Sequence, residues 1–241
     1  MFGRRCITLL TLALGCIGGE QSHAAGTVRL NWNPCTNGPV VTSAGPGDAV
    51  MTWATVYGHE ESHRGYEIRL TLQAPTGTSF PDAWRFDDAG CQDPSFGLLF
   101  LSPVAATPFC PRFMQSASTP VTTQTYSYDG LTDGAEIVVS AQYPTVAAAD
   151  PAVRYALFSA RFDHAFSTNE PTVPGVSCGG LSTPICIAVT KAEWTRSDGS
   201  VLPFTIQPNA ITFNDPQGLV CAAATPARAE TWGAIRQMYR R

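Results

Sequence analysis

The segment His59-Glu60-Glu61-Ser62-His63 matches the H-E-x-x-H pattern. In that pattern two imidazoles one helical turn apart hold a zinc ion while the glutamate activates its water. The surroundings oppose this chemistry. Gly58 precedes the segment, Gly65 follows it, and apolar–polar alternation on both sides predicts strands, which leaves no room for the long helix that presents such a site. The segment reads as a charged, exposed hairpin loop. His59, Glu60 and His63 are metal ligands only in the alternative reading, a zinc-dependent hydrolase. Asp82, Asp87, Asp88 and Asp93 gather around Trp84 and Phe86, where paired carboxylates could work as acid and base. Their spacing lacks the D-x-[DN]-x-[DN]-G order of a calcium loop and suits turns better. No G-x-S-x-G elbow occurs. No catalytic residue is assigned and no cofactor is required, with calcium and zinc left open.

The cysteines depend on what happens at the front of the chain. Arg4 and Arg5 precede an uncharged apolar run, CITLLTLALGCIGG, and Ser22-His23-Ala24 places small residues where signal peptidase needs them. Residues 1–25 are therefore expected to be a cleaved signal peptide, and the protein to be exported to the periplasm, the cell surface or the medium. A lipobox-like Leu12-Ala13-Leu14-Gly15-Cys16 offers the alternative of lipoprotein anchoring through Cys16. Cleavage leaves Cys35, Cys91, Cys110, Cys178, Cys186 and Cys221, an even set that reads as three disulfides in an oxidising compartment. Fifteen pairings are open. Short spacings favour Cys178–Cys186 and Cys91–Cys110, leaving Cys35–Cys221. With every mature thiol paired and no C-x-x-C pair present, neither cysteine nucleophiles nor a zinc–thiolate site is expected.

The elements that must carry these residues are strands. Alternation of period 2 predicts them at 27–32, 49–57, 65–73, 98–101, 124–128, 136–143, 154–162, 185–190, 201–206 and 210–213. Asp129-Gly130, Asp133-Gly134 and Asp198-Gly199 supply turn chemistry. About ten short strands without intervening amphipathic helices indicate an all-β antiparallel β-sandwich, jelly-roll or Ig-like, over residues 26–221. This body carries 9 basic and 17 acidic residues. A net charge of that sign opposes nucleic-acid binding.

Residues 222–230 read as a small-residue linker. The final segment 231–241, TWGAIRQMYRR, reads as a short amphipathic C-terminal helix with Trp232, Ile235 and Tyr239 on one face and Arg236, Arg240 and Arg241 toward its end. Such a segment suits a hydrophobic groove or an anionic membrane surface. Trp32, Trp53, Trp84 and Trp194 are divided between core packing and a sugar-stacking platform, with Trp84 the candidate contact of a carbohydrate-binding module.

Gly45-Pro46-Gly47-Asp48-Ala49-Val50, followed by Gly65-Tyr66-Glu67-Ile68-Arg69-Leu70-Thr71-Leu72, resembles the opening of bacterial cohesin-type modules. The runs at 155–162, 184–187 and 210–213, with Asp198-Gly199, are similar to the way such modules close. The resemblance implies a jelly-roll β-sandwich and brings no binding residue with it. Three disulfides and the absence of a dockerin repeat or tandem copy depart from that pattern. The expected function is a secreted or cell-surface, non-catalytic module for recognition, adhesion or envelope structure, with a protein or glycan as partner.

Overall fold

A computed structural model describes residues 26–32, 41–58, 63–93, 95–99, 120–129, 134–147, 150, 152–207, 210–218 and 221. Residues 1–25, Cys35, Cys110, His59, Glu60, residues 222–230 and the segment 231–241 lie outside the described residues. The chain forms strands β1 (Thr27–Asn31), β2 (Val41–Thr42), β3 (Ala49–Tyr57), β4 (His63–Gln73), β5 (Phe96–Leu99), β6 (Val121–Asp129), β7 (Gly134–Ala147), β8 (Tyr155–Asp163), β9 (Ile185–Arg196), β10 (Val201–Pro203), β11 (Thr205–Ile206) and β12 (Ala210–Phe213), with one 3-10 turn at Asp82–Trp84. They make two sheets. One runs β11-β1-β3-β8-β5; the other runs β2-β12-β9-β4-β7-β6, with β10 added to β9. All pairings are antiparallel except β1–β11 and β12–β2. The expected β-sandwich is the observed fold.

Alternation decides which side of each strand is dry. In β4, Tyr66, Ile68, Leu70 and Leu72 are buried while Glu67, Arg69, Thr71 and Gln73 are half-exposed. The inward set meets Val28 and Leu30 of β1, Val50, Ala54 and Val56 of β3, and Phe158, Ala160 and Phe162 of β8 in one core. Two buried polar contacts stitch the layers. Trp32 Nε1 donates to the Thr212 carbonyl at 3.0 Å, and the Tyr66 hydroxyl donates to the Leu157 carbonyl at 3.0 Å. On the outer face of the larger sheet, Glu67 meets Arg69 at 3.0 Å and Lys191 at 3.1 Å, and Lys191 meets Glu193 at 2.7 Å. These charges are half-solvated and add little to stability.

The strand boundaries shift in instructive ways. The expected strand 201–206 divides at Phe204. β10 stays with β9, whereas β11 crosses to β1, and Phe204 (its N–H on the Ala192 carbonyl at 2.9 Å) buries its ring between the layers. β4 begins at His63, two residues earlier than Gly65. Gly65 sits at an irregularity in the β4–β7 register, where a Cβ would come within 2.5 Å of the Ala141 carbonyl oxygen. The β9–β10 hairpin turns at Asp198-Gly199 as expected, with Gly199 at φ +86°.

Both described disulfides correct the expected pairing. Cys91 bonds Cys178, and Cys186 bonds Cys221. Closeness in sequence misleads here because Cys178 belongs to a loop lying against the 3-10 turn, where Ala83 N–H donates to the Gly179 carbonyl at 2.9 Å. Cys186 instead is the second residue of β9, opposite Thr212 of β12, and the chain leaving β12 brings Cys221 back to it.

Candidate functional site

The zinc reading fails at its third residue. His63 is a fully buried residue of β4, facing the core rather than an exposed loop or a helix. Its ring lies flat on Trp194, with centroids 4.4 Å apart and planes 4° from parallel. His63 opens an extended strand, whereas the zinc motif needs its second histidine on a helix. Among the described residues no three histidine, cysteine or acidic side chains gather as a metal site. Two of the four acidic residues near Trp84 are engaged locally, Asp87 with Arg85 at 2.9 Å and Asp82 accepting from Thr172 Oγ1 at 2.6 Å, while Asp88 and Asp93 are exposed.

Trp84 is not a sugar platform. It is fully buried, with ring centroids 5.2 Å from Phe162, 4.9 Å from Phe213 and 4.9 Å from His164. Trp32, Trp53 and Trp194 are buried as well. Trp32 and Trp194 pack in the same core as Trp84, and Trp53 lies in a separate small cluster with Ala156 and Met51.

The most chemically suggestive cluster is one that the sequence does not reveal. His164, Ser167 and Gln92 come together beneath the 3-10 turn, from segments that only the fold brings together. His164 Nδ1 lies 3.1 Å from the Ala83 carbonyl oxygen and 3.0 Å from Ser167 Oγ, and Gln92 Nε2 donates to the same Oγ. A serine beside a histidine invites comparison with a nucleophile and its base. Two facts oppose it. A carbonyl can only accept, so Nδ1 carries the proton and has no lone pair with which to activate Ser167. His164 is also wholly buried and Ser167 nearly so, leaving no approach for a substrate. The cluster is a structural latch under the Cys91–Cys178 bridge.

That latch is pH-sensitive. Burial lowers the His164 pKa to about 4, outweighing the raising effects of the Ala83 carbonyl and Asp163. Nε2 has no partner among the described residues, so a proton there would place an uncompensated charge in the core. The unfolded chain binds that proton near pH 6.5 and the folded chain does not. Stability is therefore full above pH 6.5 and falls as pH drops toward 4, by about 3 kcal/mol from this residue. Urea denaturation at pH 7 and pH 4 should show that loss, and His164→Phe should shrink it; an equal loss in the variant would exclude His164 as its source.

A shallow cleft of about 370 Å³ opens at one end of the larger sheet, lined by Arg64, Val121, Gln142, Tyr143 and Arg196, among others. Arg64 is exposed and makes no ion pair among the described residues. The irregularity at His63/Gly65 turns Arg64 outward while His63 goes in. A motif-based reading could not see this cleft, because its residues come from four strand ends. The candidate contacts Trp232, Ile235, Tyr239, Arg236 and Arg240 lie outside the described residues.

No protein-family model and no curated protein matches the chain. Solved structures similar to it are cohesin modules. One is the cohesin module of a family 33 glycoside hydrolase from Clostridium perfringens, at 10% identity and TM-score 0.40, covering 80% of this chain and 98% of that one. A type II cohesin domain from the cellulosome of Acetivibrio cellulolyticus matches at 9% identity and TM-score 0.40, covering 82% and 99%. A non-cellulosomal cohesin from Archaeoglobus fulgidus matches at 10% identity and TM-score 0.32, covering 79% and 90%. The chain resembles these modules; its architecture rests on the strand register described above.

Proposed function

We propose that this protein is a non-catalytic recognition module that works outside the cytoplasm. The observation that carries the reading is the placement of its reactive side chains. Among the described residues, His63, His164 and Ser167, groups suited to chemistry, are sealed in the core, while strand faces and edges are what these residues offer to their surroundings. The two disulfides among the described residues join distant segments and support an oxidising compartment. The apolar run at 6–19 and the small residues before Ala25 support export. A protein is the partner this reading favours, because sheet edges offer backbone hydrogen bonds to another chain. A glycan is the second candidate, without Trp84 as its contact.

Within this reading, the segment 231–241 is a docking or sorting element. Trp232, Ile235 and Tyr239 supply an apolar stripe, and Arg236 and Arg240 a basic end suited to a groove or an anionic lipid surface. Deleting residues 231–241 should leave the thermal transition of the body unchanged and move the protein from cells into the medium. An unchanged distribution between the two fractions would refute the sorting role.

A further inference from the structure

We infer that β6 is a self-association edge, pairing antiparallel with β6 of a second copy across a two-fold axis. Sheet edges expose unpaired backbone donors and acceptors, and proteins blunt them by keeping them short, charged or bulged. The other edges follow that rule: β2 and β11 have two residues each and β5 has four. β6 does not. It runs nine residues, VTTQTYSYD, and pairs with β7 from Val121↔Gln142 to Asp129↔Gly134 without a register shift. Among the described residues no strand pairs with its other side. From Val121 to Tyr128 it carries no charge and no proline.

This edge is held ready. The Tyr126 hydroxyl donates to the Trp84 carbonyl, the Arg85 guanidinium sits 4.4 Å above the Tyr128 ring, and Thr123 Oγ1 lies 2.6 Å from Ser140 Oγ. A strand already fixed in its paired conformation loses little further entropy when another strand joins it.

The sequence of β6 is self-complementary, which selects a second copy over an unrelated strand. Pairing centred on Thr125 sets it opposite Thr125 of the partner subunit, Thr123 opposite Ser127 of the partner subunit and Val121 opposite Asp129 of the partner subunit. Thr–Thr and Thr–Ser are favourable cross-strand neighbours, and no like charges face each other. The single acidic position also arrives at a basic place. Val121 lines the cleft that contains Arg64 and Arg196, so the strand end bearing Asp129 of the partner subunit meets the guanidinium side of the sheet. A two-fold operator makes this contact twice.

Sedimentation equilibrium of the purified protein should show a reversible monomer–dimer equilibrium. Thr125 is exposed, so Thr125→Lys should keep the far-UV circular dichroism and weaken the dimer about five- to tenfold by opposing like charges at the axis. A Thr125→Cys variant should cross-link to itself under mild oxidation much faster than Ser127→Cys, whose thiol meets Thr123 of the partner subunit rather than its own copy. That comparison decides the matter if Thr125→Lys fails to fold. A monomer at every accessible concentration, a dimer indifferent to Thr125→Lys, or equal cross-linking of the two cysteine variants would each overturn the inference. So would strand addition by a different protein to a chain that is monomeric alone.

Discussion

Trp84→Ala is expected to lower the unfolding free energy by about 4 kcal/mol. The indole is fully buried where the 3-10 turn plugs one end of the sandwich, and it touches rings from both layers: Phe162 of β8, Phe213 of β12, His164 and Phe86. Removing it forfeits the transfer free energy of a large apolar surface. It also leaves a cavity that two hydrogen-bonded sheets cannot close around. Edge-to-face contacts with Phe86, His164 and Phe213 add a directional term that a smaller side chain cannot reproduce. Trp84→Phe keeps part of the volume and should cost less than half as much. Equilibrium urea denaturation, with the slope compared between variants, measures both; a loss below about 1 kcal/mol for Trp84→Ala would show that the plug can collapse, contrary to the packing described.

Replacing Cys91 and Cys178 together by serine is expected to cost about 4.6 kcal/mol on the chain-entropy model, because the bridge closes a loop whose ends are 87 residues apart. The Cys186–Cys221 bridge spans 35 residues, and its loss should cost about 3.8 kcal/mol on the same basis. The first loss should be the greater for a second reason. Cys91–Cys178 holds together the two loops that bury His164, so its removal loosens the latch as well as the unfolded-state constraint. Chemical denaturation of the two double variants under non-reducing conditions tests the order. A larger loss for the Cys186/Cys221 pair would contradict the coupling between this bridge and the buried histidine.

Much of the fold is legible in the amino-acid sequence because sheet formation writes itself as period 2. β3 spans the expected residues 49–57, and the buried side of β4 is Tyr66, Ile68, Leu70 and Leu72, as its alternation implies. Where two constraints compete, the pattern misleads. Strict alternation with Tyr66, Ile68, Leu70 and Leu72 would turn His63 outward and Arg64 inward; the register irregularity at His63/Gly65 reverses them and lays His63 on Trp194, 131 residues along the chain. The disulfides were hidden for a related reason. Spacing reports which cysteines are close in sequence, whereas the pairing follows which loops stack. The cluster of Gln92, His164 and Ser167 had no local signal, since Gln92 enters from a segment more than seventy residues away.

β4 lies between β7 and β9 in the larger sheet, and its register with β9 joins residues as far apart as Tyr66 and Trp194. A chain synthesised N-terminus first presents Tyr66, Ile68, Leu70 and Leu72 long before β9 emerges to flank them. Non-local pairing of this kind slows folding and prolongs exposure of apolar surface. The nascent protein thus passes through an interval in which its central strand is sticky and half-flanked, and those four residues are the ones a chaperone would cover.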